Sequence, residues 1–103
     1  MRELKRVILK LSGEALSGSK GQGYDDELIE DIARQVKAII EKGIDVGVVI
    51  GGGNYWRGRS NNNIDRTKAD QIGMLATIMN CIYVSEIFRS CGIMTSILTP
   101  FES

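Results

Sequence analysis

The amino-acid sequence predicts an α/β fold, in which parallel strands form a sheet and helices cover both of its faces. Apolar strand-like runs alternate with longer helical patterns in the order β-loop-α-β-loop-α-β. That alternation is typical of parallel strands joined by right-handed crossovers. The run "VGVVI" at 46–50 is apolar at every side chain, as expected of a strand buried on both faces.

The first half of the chain contains one strand and one helix. The run "RVILKL" at 6–11 predicts a strand that ends in Ser-Gly, and a glycine-rich loop follows it. Asp25 is predicted as the N-cap of the first long helix, with acidic residues in its first turn. Apolar residues at helical spacing continue to Ile40, and Gly43 is a natural end.

The second half repeats the pattern. A strand at 45–50 leads into Gly51-Gly52-Gly53, and a polar loop leads to a second long helix over about 69–91. A third strand is expected at 93–99. Because a three-stranded sheet would leave long edges exposed, we interpret the chain as the first part of a larger fold.

The second long helix is apolar on two sides, which predicts burial on two sides. The sheet would cover one side, and more of the same chain or a partner would cover the other. We predict a homodimer contact through one of the two apolar stripes; the alternative is ordinary apolar surface. The residues predicted at the contact are Met74, Ile78, Cys81 and Phe88.

Composition narrows the class of protein. The 103 residues include 13 basic and 13 acidic side chains and no histidine, so the net charge gives no argument for a nucleic-acid partner. Cys81 and Cys91 lack CxxC spacing, which leaves no predicted metal site. No apolar run is judged long enough to cross a membrane and no signal peptide is identified, so a cytoplasmic protein is predicted.

Two loops are candidates for binding a ligand, because open parallel sheets bind ligands beyond the carboxyl ends of their strands. They are Ser12-Gly13 and the glycine triplet 51–53. Neither matches the P-loop or the Rossmann fingerprint. Successive amides of a glycine turn can nevertheless form an anion-binding nest. A tight turn with a purely structural role is the alternative.

Charged residues near these loops indicate phosphate as the ligand. Lys10 interrupts an apolar strand just before its end, and Arg57 follows the glycine triplet. Lysine and arginine together suit phosphoryl transfer, although Lys10 could also be a solvated edge lysine. Asp70 could accept hydrogen bonds from sugar hydroxyls or could cap the second helix.

Three segments carry a family resemblance: "KRVILKLSGEAL" at 5–16, "VGVVIGGGNYWRG" at 46–58 and "DRTKADQIGMLATIMN" at 65–80. They resemble the bacterial UMP kinases of the amino acid kinase family. Carbamate and acetylglutamate kinases share the glycine-Asn turn, whereas "KLSGEAL" together with "ADQIGMLAT" is specific. The resemblance implies a three-layer sandwich, of which this chain would be the N-terminal portion.

The resemblance also implies a function, namely transfer of the γ-phosphoryl group of ATP to UMP to give UDP in pyrimidine nucleotide biosynthesis. Mg²⁺ would arrive as MgATP rather than in a dedicated protein site. Lys10 and Arg57 would be catalytic. The implied contacts are Lys10, Leu11, Ser12, Gly13, Gly53 and Arg57 for ATP; Gly52 and Asp70 for UMP; and Gly18, Ser19, Lys20, Gly21, Gln22 and Gly23 for allosteric GTP.

Regulation and assembly follow by the same resemblance: GTP as a possible activator, UTP as a possible inhibitor, and a hexamer built from dimers. The chain departs from the family at Tyr55-Trp56, in the Asn-rich loop that follows Arg57, and in length. By length, 1–103 would be the N-terminal part of a single amino acid kinase-type domain whose C-terminal half is absent from this chain. It is therefore expected to be inactive alone. Two alternatives stay open. One is a non-catalytic nucleotide-sensing or assembly module, and the other is a carbamate or acetylglutamate kinase.

Overall fold

The computed structural model describes residues 5–55 and 64–98, and they form an α/β unit. Its elements, in chain order, are strand β1 (Lys5–Leu11), helix α1 (Gly13–Ser17), a 3₁₀ turn (Gly18–Lys20), helix α2 (Asp26–Ile40), strand β2 (Ile44–Ile50) and helix α3 (Arg66–Ser90). The predicted fold class is therefore confirmed: parallel strands are joined through helices. The predicted bounds of the strands and of α2 agree with the structure to within a few residues.

The two strands pair in parallel over their whole length. Lys5 lies opposite Ile44 and Leu11 lies opposite Ile50. Because this register has no offset, both strands end at the same edge of the sheet. The loops that follow them consequently start side by side, which is what places the candidate site.

One face of the sheet forms the core. Alternate residues of the strands, such as Leu9, Leu11 and Val48, pack with side chains from both α2 and α3 in one apolar cluster. The other face carries Ile8 and Val49, which are 71% and 52% exposed. In the described part of the chain both long helices thus cover the first of these faces, whereas the sequence predicted helices on both faces.

Helix α2 begins and ends as its sequence predicts. The Asp25 side chain accepts a hydrogen bond from the Leu28 amide at 3.2 Å, which satisfies one of the free amides of the first turn. Ile29, Ala33 and Val36 form its buried side. After the last turn, Gly43 adopts a positive φ of 85°, a conformation that glycine accepts without strain.

Helix α3 begins earlier than predicted, and its early start excludes Asp70 as the N-cap of the helix. The N-cap is Asp65, whose side chain accepts from the Thr67 amide at 3.2 Å. Asp70 therefore lies inside the helix and is not its cap. The other end closes in a Schellman arrangement, in which the Ile93 amide donates to Phe88 O at 3.0 Å around Gly92 with φ 91°.

Two expectations about the chain between the main elements are wrong. The predicted loop after β1 contains α1 and the 3₁₀ turn, because Ser12 caps a helix by accepting from the Ala15 amide at 3.1 Å. The third strand is absent from residues 93–98, which have no regular secondary structure. An apolar run needs a neighbouring strand with free backbone groups, and periodicity cannot show whether that neighbour is there.

The outward-facing side of α3 matches the prediction only in part, since Met74 of the predicted contact residues is 36% exposed. Val84 and Phe88 are buried in the core cluster, so the stripe proposed for the homodimer contact packs at its C-terminal end within the chain. Leu75, Met79 and Ile82 are instead 63%, 43% and 56% exposed. Both stripes are equally apolar in sequence, and only the packing distinguishes them.

Helix α3 also corrects the expectation that no segment is long and apolar enough to cross a membrane. Its most apolar window has a mean hydropathy of 1.3, which satisfies that test by length and composition alone. A core helix of a globular protein passes the same test. Here α3 packs against α2 and the sheet, and one of its buried side chains is the amide of Asn80.

Candidate functional site

The loops that follow β1 and β2 are in direct contact at the carboxyl edge of the sheet. The Gly51 amide donates to Leu11 O at 3.1 Å, continuing the strand pairing by one residue. Gly13 is buried against the second loop: a Cβ at this position would overlap the Gly53 nitrogen and lie 2.8 Å from Gly51 O. A side chain at position 13 would push the two loops apart.

Gly52 makes a second close approach, to helix α3. A Cβ at Gly52 would lie 2.9 Å from Ala76 Cβ and 3.1 Å from the Thr77 nitrogen, tighter than ordinary van der Waals contact. No glycine of the triplet has a positive φ. Gly52 is therefore needed for close backbone approach rather than for an unusual dihedral angle, and the approaching groups belong to the chain itself.

The backbone amides of this edge differ in their partners. Gly51 N–H is used by the sheet, as described above, whereas the Gly52 and Gly53 amides donate to no other residue in the described ranges. The Ser12 hydroxyl oxygen accepts a hydrogen bond from the Ala15 amide and so caps α1. Two glycine amides thus remain available to an anion at the end of the sheet.

Lys10 lies one residue before the end of β1, opposite Val49. It belongs to the open face of the sheet, is exposed, and has no ion pair or hydrogen bond with any residue in 5–55 or 64–98. Its neighbour Leu11 points into the core at 9% exposure, so Leu11 can offer a ligand only its backbone.

Asp70 lies on the same side of α3 as the residues that contact Gly52. It precedes Gly73 and Thr77 by one and two helical turns, and at about 100° per residue these three share one face. Its side chain is exposed. Arg57 and Trp56 fall outside the described residues, so the predicted meeting of Lys10 and Arg57 stays a prediction.

The segment 18–23 packs against the glycine loop. The Gly23 amide donates to Asn54 O at 3.4 Å, and Asn54 Nδ2 donates back to Gly23 O at 2.9 Å. Gly18, Gly21 and Gly23 all have positive φ, which explains the glycines of this segment. The Gly18–Lys20 turn is exposed. The predicted GTP segment and the predicted phosphate loop are therefore neighbours, joined by Asn54.

Sequence reasoning missed the residues beneath the loop. Asn54 and Asn80 are 3% and 0% exposed, and their side chains hydrogen-bond to one another at 2.7 Å. The Tyr24 hydroxyl donates to Asn80 Oδ1 at 2.7 Å. A polar residue at position 80, between Ala76 and Val84 in a buried stripe, was the signal that could have identified this network.

Two stacked tyrosines border the network. The Tyr24 and Tyr83 rings are parallel, with centroids 3.8 Å apart, and the Tyr83 hydroxyl donates to Asp26 Oδ1 at 2.6 Å. Burial, reinforced by the neighbouring tyrosines, raises the pKa of Tyr24 to about 12. The hydrogen bond to Asp26, together with burial, raises the pKa of Tyr83 to about 12. Both hydroxyls are therefore protonated donors at neutral pH.

The arrangement suits an anionic ligand held by backbone amides, with a lysine nearby. Among the described residues no three acidic, histidine or cysteine side chains come together as a metal site. Any divalent cation at this edge would therefore have to depend on the ligand or on residues outside those ranges.

Comparison with known proteins gives the family. The model of the amino acid kinase family matches residues 5–103. The chain belongs to the amino acid kinase family. Among solved structures, the UMP kinase of Bacillus anthracis superposes with a TM-score of 0.77 at 42% identity over 86% of this chain. The UMP kinase of Ureaplasma parvum superposes with a TM-score of 0.84 at 32% identity over 98% of it.

These matches confirm the resemblance to bacterial UMP kinases that the sequence motifs predicted. The chain covers 37% of the length of the Bacillus enzyme and 45% of the length of the Ureaplasma enzyme. The likeness thus extends over less than half of either relative. For this chain, the activity, substrates and partners of these longer enzymes are therefore stated only as proposals.

Proposed function

We propose that this chain provides the phosphate-binding edge of a kinase that transfers the γ-phosphoryl group of ATP to UMP. One observation carries the proposal: Ser12-Gly13, the glycine triplet and the Asp70 face of α3 come together at one end of a parallel sheet. The likeness to two UMP kinases supports UMP as the acceptor within this proposal.

Each residue has a role in this proposal. Lys10 and Arg57 stabilise charge on the transferred phosphoryl group, and the amides of Gly13, Gly52 and Gly53 bind phosphate oxygens. The remaining contacts are those given above for Leu11, Ser12 and Asp70. A UMP phosphate oxygen attacks the γ-phosphorus while ADP leaves, a reaction that depends mainly on positioning and on fixed positive charge. Mg²⁺ enters with ATP.

The proposal is tested in a chimera in which this chain replaces its matched segment of the Bacillus anthracis UMP kinase. We expect the chimera to form UDP from UMP and MgATP, and to leave carbamate and acetylglutamate unphosphorylated. Activity on either of the latter acceptors would favour another branch of the family. A folded chimera that binds UMP and ATP without turnover would favour the nucleotide-sensing module.

The chain alone is proposed to be inactive. It supplies amides and Lys10, but catalysis by positioning requires groups that surround the whole transferred phosphoryl. The test is a coupled assay for ADP release with UMP and MgATP on the 103-residue chain. Turnover that scales with its concentration and disappears in Lys10→Met would contradict this.

Assembly and regulation complete the proposal. The exposed stripe Leu75, Met79 and Ile82 replaces the residues first predicted for a homodimer contact, and dimers would build the hexamer. GTP would bind at segment 18–23 as an activator and UTP would inhibit. Ultracentrifugation of the chimera, and UDP formation measured with and without GTP or UTP, test these points separately. The cytoplasm is the proposed compartment.

A further inference from the structure

Two buried amide side chains lie beneath the glycine loop. In the described ranges the buried polar residues are Ser17, Asn54 and Asn80, and the last two lie side by side. Burying an amide without hydrogen bonds is costly. Asn80 stands between Ala76 and Val84 on the buried side of α3, where an apolar residue would fit the helix pattern. Its chemistry therefore needs an explanation.

Every hydrogen-bonding group of Asn80 is used. Its Nδ2 donates to Gly51 O at 2.8 Å and to Asn54 Oδ1 at 2.7 Å. Its Oδ1 accepts from the Tyr24 hydroxyl at 2.7 Å. Asn54 Nδ2 in turn donates to Gly23 O at 2.9 Å. We call Asn80, Asn54 and Tyr24 the amide junction; it joins α3, the glycine loop and segment 18–24.

The bond to Gly51 O fixes the direction of a neighbouring amide. Gly51 O and Gly52 N–H belong to one peptide unit, which is planar and trans, so the two groups point in opposite directions. Holding Gly51 O toward Asn80 turns Gly52 N–H away from α3. That amide donates to no described residue, as noted above, and is free for a ligand.

We propose that Asn80 is a positioning residue for the phosphate loop. It directs Gly52 N–H toward the phosphate, and Asn54 couples this orientation to Gly23. The proposal rests on the proposed function in one respect only, namely that phosphate is the ligand of the loop. Asn80 itself is buried and touches no substrate.

The main test compares two variants with different consequences for the loop. Asn80→Asp keeps the volume and the acceptor for Tyr24, but it replaces the donor that faces Gly51 O with an acceptor. Val36→Ala removes buried apolar volume from α2 away from the loop, so it measures a purely structural loss. In the chimera we expect Asn80→Asp to lower kcat about 10- to 100-fold, on the scale of losing one positioned donor. At a comparable loss of thermal stability, Val36→Ala should keep kcat within about twofold.

A milder pair guards against a variant that fails to fold. Tyr24→Phe removes only the hydroxyl that donates to Asn80, whereas Tyr83→Phe removes only the hydroxyl that donates to Asp26. The two rings stack on each other, so both variants keep the same packing. We expect Tyr24→Phe to lower kcat about two- to fivefold and Tyr83→Phe to leave it unchanged, since a neutral hydrogen bond contributes on the order of 1 kcal/mol.

A second measurement separates this inference from the proposed function. The ¹⁵N NMR signal of the Gly52 amide is followed in the full chain while inorganic phosphate is added. We expect the signal to shift with phosphate in wild type and Tyr83→Phe, to shift less in Tyr24→Phe, and to lose that response in Asn80→Asp. If the wild-type chimera lacks UMP kinase activity but this pattern holds, only the proposed substrate is wrong. Equal Gly52 responses in wild type and Asn80→Asp, or equal kcat losses in Asn80→Asp and Val36→Ala, would overturn the positioning role.

Discussion

Two regions of the molecule differ in how far their groups are packed and hydrogen-bonded within the chain. At the carboxyl edge of the sheet, backbone segments touch one another and the buried side-chain amides of Asn54 and Asn80 are hydrogen-bonded. On the outer side of α3 and the open face of the sheet, apolar side chains such as Leu75 and Ile8 are exposed at 63% and 71%. An apolar hollow of about 500 Å³ lies beside β2, lined in part by Val48, Val49 and the 93–98 segment.

The difference separates what the chain completes by itself from what it leaves uncovered. Close contacts at Gly13 and Gly52 hold the first region in one shape without any ligand. The second region exposes large apolar side chains on α3 and on both strands, and exposed apolar patches often mark interaction surfaces. A binding edge that is already shaped loses less conformational entropy on binding, whereas exposed apolar surface gains free energy when it is covered. We expect substitutions in the first region to change chemistry and those in the second to change association.

The largest expected effect concerns Lys10. In the chimera, Lys10→Met should lower kcat by about 10²- to 10³-fold, the typical cost of one electrostatic contact to the transition state, while UMP binding changes little. Arg6→Met is the matched control: it removes a cation from the same face of β1 at the far end, where the pair with Asp45 is exposed at 3.8 Å. Equal kcat values in the two variants would show that Lys10 has no catalytic role and is an exposed surface lysine, like Arg6 on the same strand face.

The glycines provide the next largest effect, with a built-in control. Gly13→Ala and Gly52→Ala should each destabilise the fold by about 1–3 kcal/mol, because the new methyl group meets backbone or a helix. Gly51→Ala should cost less than about 0.5 kcal/mol, since its Cβ would lie 3.7 Å from the Gly13 nitrogen and nothing closer. Denaturant unfolding of the three variants measures this order. A Gly51→Ala variant as unstable as the other two would show that the triplet is a turn that requires glycine.

The local signals of the sequence predicted the frame of the molecule. Asp25 caps α2, Gly43 and Gly92 end their helices, and the strand ends bring the two glycine loops together. These features follow from residue chemistry within a few positions of the chain. The same reasoning placed Lys10 near the carboxyl end of its strand.

The remaining features depend on contacts between distant segments. Either stripe of α3 is apolar enough to face the core, so the choice of Val84 over Leu75 is made by packing against α2. Position 93 begins an apolar run, yet a strand requires a partner that no local pattern reveals. Asn80 acquires its role only because Gly51 O, Asn54 and Tyr24 meet there in the fold.

An effect on association, without one on the site, is expected on the outer side of α3. Leu75→Glu should weaken self-association of the chain, because a charge in an apolar contact loses its hydration. Light scattering should then report a lower mass than for wild type. Ala38→Glu, on the exposed side of α2, is the control and should leave the mass unchanged. A mass that is identical in all three proteins would mean that no second copy covers this stripe.

The smallest expected effect links the two tyrosines to alkaline pH. In the folded chain Tyr24 and Tyr83 have pKa values of about 12, against about 10 for an unfolded tyrosine. The unfolded chain therefore loses these protons first, so the stabilisation is complete below pH 10 and is lost as the pH rises from about 10 to about 12. Denaturation midpoints across this range should fall less steeply in Tyr24→Phe than in wild type, since the variant has one such group fewer and the same lysines. Parallel pH curves for the two proteins would show that the Tyr24 hydroxyl is not desolvated by burial in solution.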